Sequence, residues 1–140
     1  MKDASEEAPR VELTGLAHIG IRVHDFERSR AFYELLGFRH VAGPFPNTPV
    51  AILKHHAGLE INLVINAPEA DGDNILMDVA EKHPGYTHVA LAVTDVEQAA
   101  SAMQAAGVPI SEGPVRFPTG ARAVFVRDPD RNVVELHQPA

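Results

Sequence analysis

Residues 17–23 alternate strictly, with Ala17, Ile19, Ile21 and Val23 on one face and His18, Gly20 and Arg22 on the other. That period of two predicts a half-buried strand. Apolar positions then recur at helical spacing through Phe26, Ser29, Tyr33 and Leu36. Asp25 stands where an N-cap opens such a helix, and Gly37 where a C′ glycine closes it. The same arrangement returns later in the chain. Val89, Leu91 and Val93 oppose His88, Ala90 and Ala92; Asp95, Val96, Ala99, Met103, Ala106 and Gly107 follow. The stretches LAHIGIRVHDFERSRAFYELLGF and YTHVALAVTDVEQAASAMQAAGV align without a gap at an offset of 70 positions, and Gly43-Pro44 falls on Gly113-Pro114 at the same offset. A repeat of this kind predicts two copies of one supersecondary unit.

Each copy continues in strands. PVAILKH passes through HAG into LEINLVI, and ARAVFVR passes through DPDRN into VVELHQ, two hairpins with turn chemistry between their arms. A further strand fits around FRHVA in the first copy and PVR in the second. The expected fold class is therefore α+β, with two βαβββ modules forming half-barrels around a shared cavity. The boundaries are a flexible tail over 1–12, a first module over 13–66, a connector over 67–84 and a second module over 85–140. Within the connector, NILMDVAEK is expected to form a short helix, and the segment reads as a plain link rather than a flap.

Composition narrows the function. Twelve Lys and Arg against nineteen Asp and Glu leave a net charge of -7, and no basic cluster interleaves with aromatics. Nucleic acid and anionic membrane surfaces are not expected partners. No apolar run approaches the roughly 20 residues that span a bilayer, and MKDASEEAPR has no apolar core of a secretory signal. The absence of cysteine excludes disulfides, thiolate ligands and a Cys nucleophile, and agrees with an expected cytoplasmic location. Eight histidines are the unusual count.

Alternation assigns the chemistry. In LEINLVI, Glu60, Asn62 and Val64 oppose the apolar face; in VVELHQ, Val133, Glu135 and His137 do so. Each copy thus offers a histidine from its first strand and a glutamate from its last, all turned away from the apolar side. His18, Glu60, His88 and Glu135 are expected to meet in one cavity. Two imidazoles and two carboxylates suit a divalent metal such as Ni, Co, Zn, Fe or Mn.

HIGIRVHDFERSRAFYELLGF and FVRDPDRNVVELH resemble the vicinal oxygen chelate superfamily, which includes glyoxalase I, extradiol dioxygenases, and fosfomycin- and bleomycin-resistance proteins. The resemblance runs from Leu13 to Gln138 and implies paired βαβββ modules with metal ligands on the first and last strands of each. Glu60 looks like the fourth ligand of glyoxalase I. Arg22 resembles the arginine that there pairs with a glutathione carboxylate. Arg22 and Asn62 are the candidate substrate-binding residues. Val64 stands where that enzyme usually has an asparagine, with Asn62 and Asn66 nearby, and VRFPTGAR offers Arg116 and Arg122 in place of the familiar lysine.

The resemblance implies a metal-dependent lyase or isomerase acting on a hemithioacetal or similar α-hydroxycarbonyl compound through an enediolate. Glu135 is the expected base, with Glu60 as the alternative, and His18 and His88 remain ligands throughout. An extradiol dioxygenase is the competing reading; a drug-binding protein of the bleomycin-resistance kind fits less well. A homodimer is the expected state, with the modules pairing within one chain or between two.

Overall fold

Asp25 and Asp95 cap two helices, α1 (Phe26–Leu35) and α2 (Val96–Ala105), in the computed structural model. Their carboxylates accept the backbone N–H of Glu27 at 3.2 Å and of Gln98 at 3.1 Å, groups that a helix start otherwise leaves unpaired. Gly37 and Gly107 follow the two helices with φ of 92° and 83°. The structure describes residues 8–69 and 72–140, so the first seven residues of the expected tail and residues 70 and 71 of the connector lie outside it.

Helix α1 belongs to a sheet of β1 (Ile19–Val23), β2 (Arg39–Ala42), β3 (Val50–His55) and β4 (Leu59–Ile65), in the order β1-β4-β3-β2. Helix α2 belongs to the matching sheet of β5 (His88–Ala92), β6 (Glu112–Arg116), β7 (Arg122–Arg127) and β8 (Val133–Gln138), ordered β5-β8-β7-β6. In each, the first and last strands run parallel and the other pairs antiparallel. These are the two βαβββ modules of an α+β fold that the repeat predicts.

The apolar faces of both sheets share one core. Val23, Tyr33, Leu53, Ile61 and Leu63 from the first module and Val96, Val124, Val126 and Val134 from the second are all fully buried within it. Two helix positions differ from the expected stripe. Phe32 is buried beside Tyr33, and Ala106, the α2 C-cap residue, is exposed.

The DPDRN turn does more than shape its hairpin. Asp128, 3% exposed, accepts the Tyr33 hydroxyl of α1 at 2.8 Å, the backbone N–H groups of Asp130 and Asn132 at 2.9 Å each, and the Asn132 amide at 2.9 Å. Asp130 takes Arg28 at 3.1 Å, and Asn132 donates to the Arg22 carbonyl at 3.2 Å. Burial raises the Asp128 carboxyl above its ordinary value, with the four donors acting against it, and raises Tyr33 well above its own. The two modules are locked by a buried polar network as well as by shared core.

The connector is not helical where a helix is expected. Residues 75–78 form turns, and the Asp78 carboxylate accepts the Asn74 N–H at 3.0 Å. Arg127 grips Asp78 with two bonds of 2.7 Å, holding its carboxyl well below the usual carboxylate range. This anchor seats Met77 against Ala123, Phe125 and Val133, on the second sheet's other face. Nucleating a helix in so short a segment is costly, and these side-chain bonds hold it as turns instead. No helix among the described residues is long and apolar enough to cross a membrane.

Gly43 and Gly113 lie at equivalent points with φ of 74° and 97°, each followed by a cis proline. A Cβ on Gly43 would overlap the Val50 carbonyl oxygen, and one on Gly113 would lie 2.8 Å from that of Ala123. Gly43→Ala is expected to destabilise the chain by about 2–3 kcal/mol, the cost of a strained backbone plus displacement of β3. Chemical denaturation measures it; a loss below about 0.5 kcal/mol would show that the loop shifts freely.

Candidate metal centre

His18 leads directly into β1, and its Nδ1 lies 3.9 Å from Glu60 Oε2. Glu60 also faces Lys54 across the β3–β4 ladder, at 3.7 Å. His88 opens β5, with Nε2 3.1 Å from Glu135 Oε1, and the other oxygen of Glu135 is 2.6 Å from His137 Nδ1. Glu135 is 5% exposed, sheltered by Phe125, whose ring meets His88 edge-on, and near Phe117, which stacks on His137. The second module therefore presents a compact imidazole–carboxylate–imidazole group, and the first a looser His18–Glu60 pair.

Between the unpaired edges of β1 and β5 runs a cleft of about 890 Å³. His18, Gly20, Arg22, His88 and Ala90 line it, with Leu16, Ile75 and the fully exposed Tyr86. The four expected ligands are not gathered within the chain. Each pair belongs to its own sheet, the two sheets share no ladder, and among the described residues no three His, Cys, Asp or Glu side chains form a group arranged to hold a metal.

Strand register revises the symmetry between the two acids. Gly20 pairs with Asn62 across β1 and β4, and Ala90, its repeat counterpart, pairs with Glu135 across β5 and β8. The counterpart of Glu135 is therefore Asn62. Glu60 corresponds to Val133, the residue opposite His88. A glutamate in each copy is real, but the two sit two residues apart in the repeated frame.

Asn66 Oδ1 accepts the Arg22 Nε–H at 2.8 Å, so the amide and the guanidinium stand together beside the cleft. Arg122 is engaged with Glu97 at the exposed surface. Among the other histidines, His24 contacts the Ala67 carbonyl at 2.9 Å, while His55 stacks on His56.

Paired βαβββ modules, with a histidine at the start of each first strand and a glutamate on each last strand, define the class. The family model described as the Glyoxalase/Bleomycin resistance protein/Dioxygenase superfamily matches residues 15–136. The chain belongs to that superfamily. No curated protein sequence matches it. Among solved structures it is similar to the virulence protein STM3117 from Salmonella typhimurium, at 27% identity and a TM-score of 0.67, covering 93% of this chain and 100% of that one. It is also similar to lactoylglutathione lyase from Agrobacterium tumefaciens, at 20% identity and a TM-score of 0.67 over 90% and 94% of the two chains. FosX, the fosfomycin resistance protein from Listeria monocytogenes, gives 22% identity and a TM-score of 0.70 over 92% and 94%. At 20% and 22% identity these last two share the fold.

Proposed function

We propose that the chain is a metal-dependent lyase or isomerase acting on a small substrate with two adjacent oxygens. The observation that supports this best is the buried Glu135 carboxylate held between His88 and His137, with His18 at the equivalent place in the other module. The chain alone does not gather His18, His88 and Glu135, so on this proposal closure of the cleft would bring them onto one ion, and two imidazoles and a carboxylate suit Ni, Co, Zn, Fe or Mn. When bound, such an ion supplies Lewis acidity toward a substrate carbonyl.

The chain's own side chains divide the remaining work. Glu135, held by two histidines, is committed to the ligand role. Glu60, about a quarter exposed beside His18, is the carboxylate left to take a proton from the carbon next to the carbonyl and return it to the neighbouring carbon. Arg22, steadied by Asn66, would bind an anionic group of the substrate. A second copy of the chain would cover the exposed Leu16, Ile75 and Tyr86 and close the cleft.

An extradiol dioxygenase is a second reading, favoured by the amide at position 62: it leaves two histidines and one carboxylate, the set that binds non-haem Fe(II) with open positions. Metal analysis of the purified chain, followed by isomerisation assays with hemithioacetals of several thiols and oxygen uptake on catechols, separates the two. Isomerisation without oxygen uptake is the expected result. Oxygen uptake alone moves the chain to the dioxygenase branch; a chain that retains no metal and gains no activity on metal addition overturns both.

A further inference from the structure

We propose that residues 73–78 of the connector form a cover over the Glu135 face of the second sheet, latched by Asp78 and Arg127, and that release of this latch admits substrate to Glu135. What the cover guards rests on the function proposed above; that it exists and opens does not.

The repeat supplies the comparison. Ladder register sets Val50, Ile52, Glu60 and Asn62 of the first module against Ala123, Phe125, Val133 and Glu135 of the second. The first four are half-buried, and the second four are all buried. Two faces built alike therefore differ in what lies on them. On the second lies Met77 of the connector, with Val115 and Phe117. One ladder position carries the connector to that face. Lys54 has Glu60 directly across from it at 3.7 Å and keeps a side chain 57% exposed. Its counterpart Arg127 has Val133 there instead, and reaches out to Asp78 with two bonds of 2.7 Å.

The attachment is of a kind that can let go. Among the described residues, 73–84 make no backbone hydrogen bond to either sheet; the Met77 and Asp78 N–H groups both donate to the Asn74 carbonyl within the segment itself. Side chains hold it instead. Besides the Arg127 fork there is a contact of 3.4 Å from Arg131 to Asp78, and the Asn74 amide donates to the Arg131 carbonyl at 3.1 Å. A segment held in this way opens at a lower free energy than the strands beneath it. Closure also carries a cost, because Arg127 Nε is buried without a partner, a loss that release to water removes. Glu135 lies on the covered face at 5% exposure, too little for a substrate to meet. Leu76 and Val133 both line the cleft, so a lifted segment joins the covered face to it.

The test reads opening and uses neither metal nor turnover. The chain has no cysteine, so Val133→Cys places a single thiol under the cover and Ala51→Cys a single thiol in the first module's core, both at buried positions. Iodoacetamide labelling of each full-length chain, with and without Asp78→Asn, reports how often its site opens. Asp78→Asn removes the charge from a two-bond pair and is expected to speed labelling at Val133→Cys at least about tenfold. Labelling at Ala51→Cys should change by less than about twofold. Hydrogen exchange over residues 74–78, compared between the natural chain and Asp78→Asn, makes the same measurement without a cysteine and should also quicken about tenfold. Unchanged labelling and exchange overturn the latch. Equal acceleration at Val133→Cys and Ala51→Cys overturns the cover, since the whole chain then loosens. If labelling follows the expected pattern while the purified chain takes up no metal and turns over nothing, the cover stands and the lyase reading falls.

Discussion

On the proposed lyase reading, Glu135→Gln is expected to abolish metal binding and to lower turnover at least about a thousandfold, equivalent to about 4 kcal/mol of transition-state stabilisation. The carboxylate is 5% exposed and sits between His88 at 3.1 Å and His137 at 2.6 Å. Glutamine matches its shape, but its amide nitrogen must face one of those two rings or the ion. The metal-free variant should therefore lose about 1–2 kcal/mol of stability, the cost of one mispaired buried polar group, while function falls far more. His137→Gln leaves the ligand and removes its orienting partner, and should cost about tenfold to a hundredfold in metal affinity. Elemental analysis, turnover and thermal melts with and without added metal separate these effects. Full metal content and activity in Glu135→Gln would remove this residue from the centre.

The gap between what the sequence reveals and what it hides has a simple geometric origin in this fold. Caps, C′ glycines and alternation are local, so Asp25, Gly37 and their counterparts Asp95 and Gly107 mark both helices correctly, and the strand faces follow. Alternation assigns a residue to a face but carries no register. A shift of two residues keeps every side chain on its own face, which is why Glu60 passes for the counterpart of Glu135 until the ladders are paired. The signal that was present is the pair of triplets Ile61-Asn62-Leu63 and Val134-Glu135-Leu136, each a polar residue between two core residues. The unequal hairpin turns, HAG and DPDRN, hide that equivalence from counting. Non-local polar contacts are invisible for a different reason. Nothing in DPDRN says that Asp128 accepts Tyr33, 95 positions away, and nothing in NILMDVAEK shows that Asp78 is bound by Arg127.

Asp128→Asn is expected to be among the most destabilising single substitutions in the chain, at about 3 kcal/mol, without touching any ligand. Four donors converge on its carboxylate, from Tyr33, Asn132 twice and Asp130. An amide can turn one oxygen toward two of them, but its own N–H₂ then confronts the rest in a site 3% exposed. Leaving buried donors unpaired costs about 1–3 kcal/mol each. Tyr33→Phe removes one donor and should cost about 1–2 kcal/mol. The double variant should cost less than the two singles together, because an amide at position 128 no longer has full use for the hydroxyl. Urea unfolding of the four chains gives these values directly. If the network locks the modules, Asp128→Asn should also lower the cooperativity of unfolding, since fewer buried polar bonds then join the two halves. A single sharp transition within about 0.5 kcal/mol of the natural chain would show that the shared core alone holds the modules together.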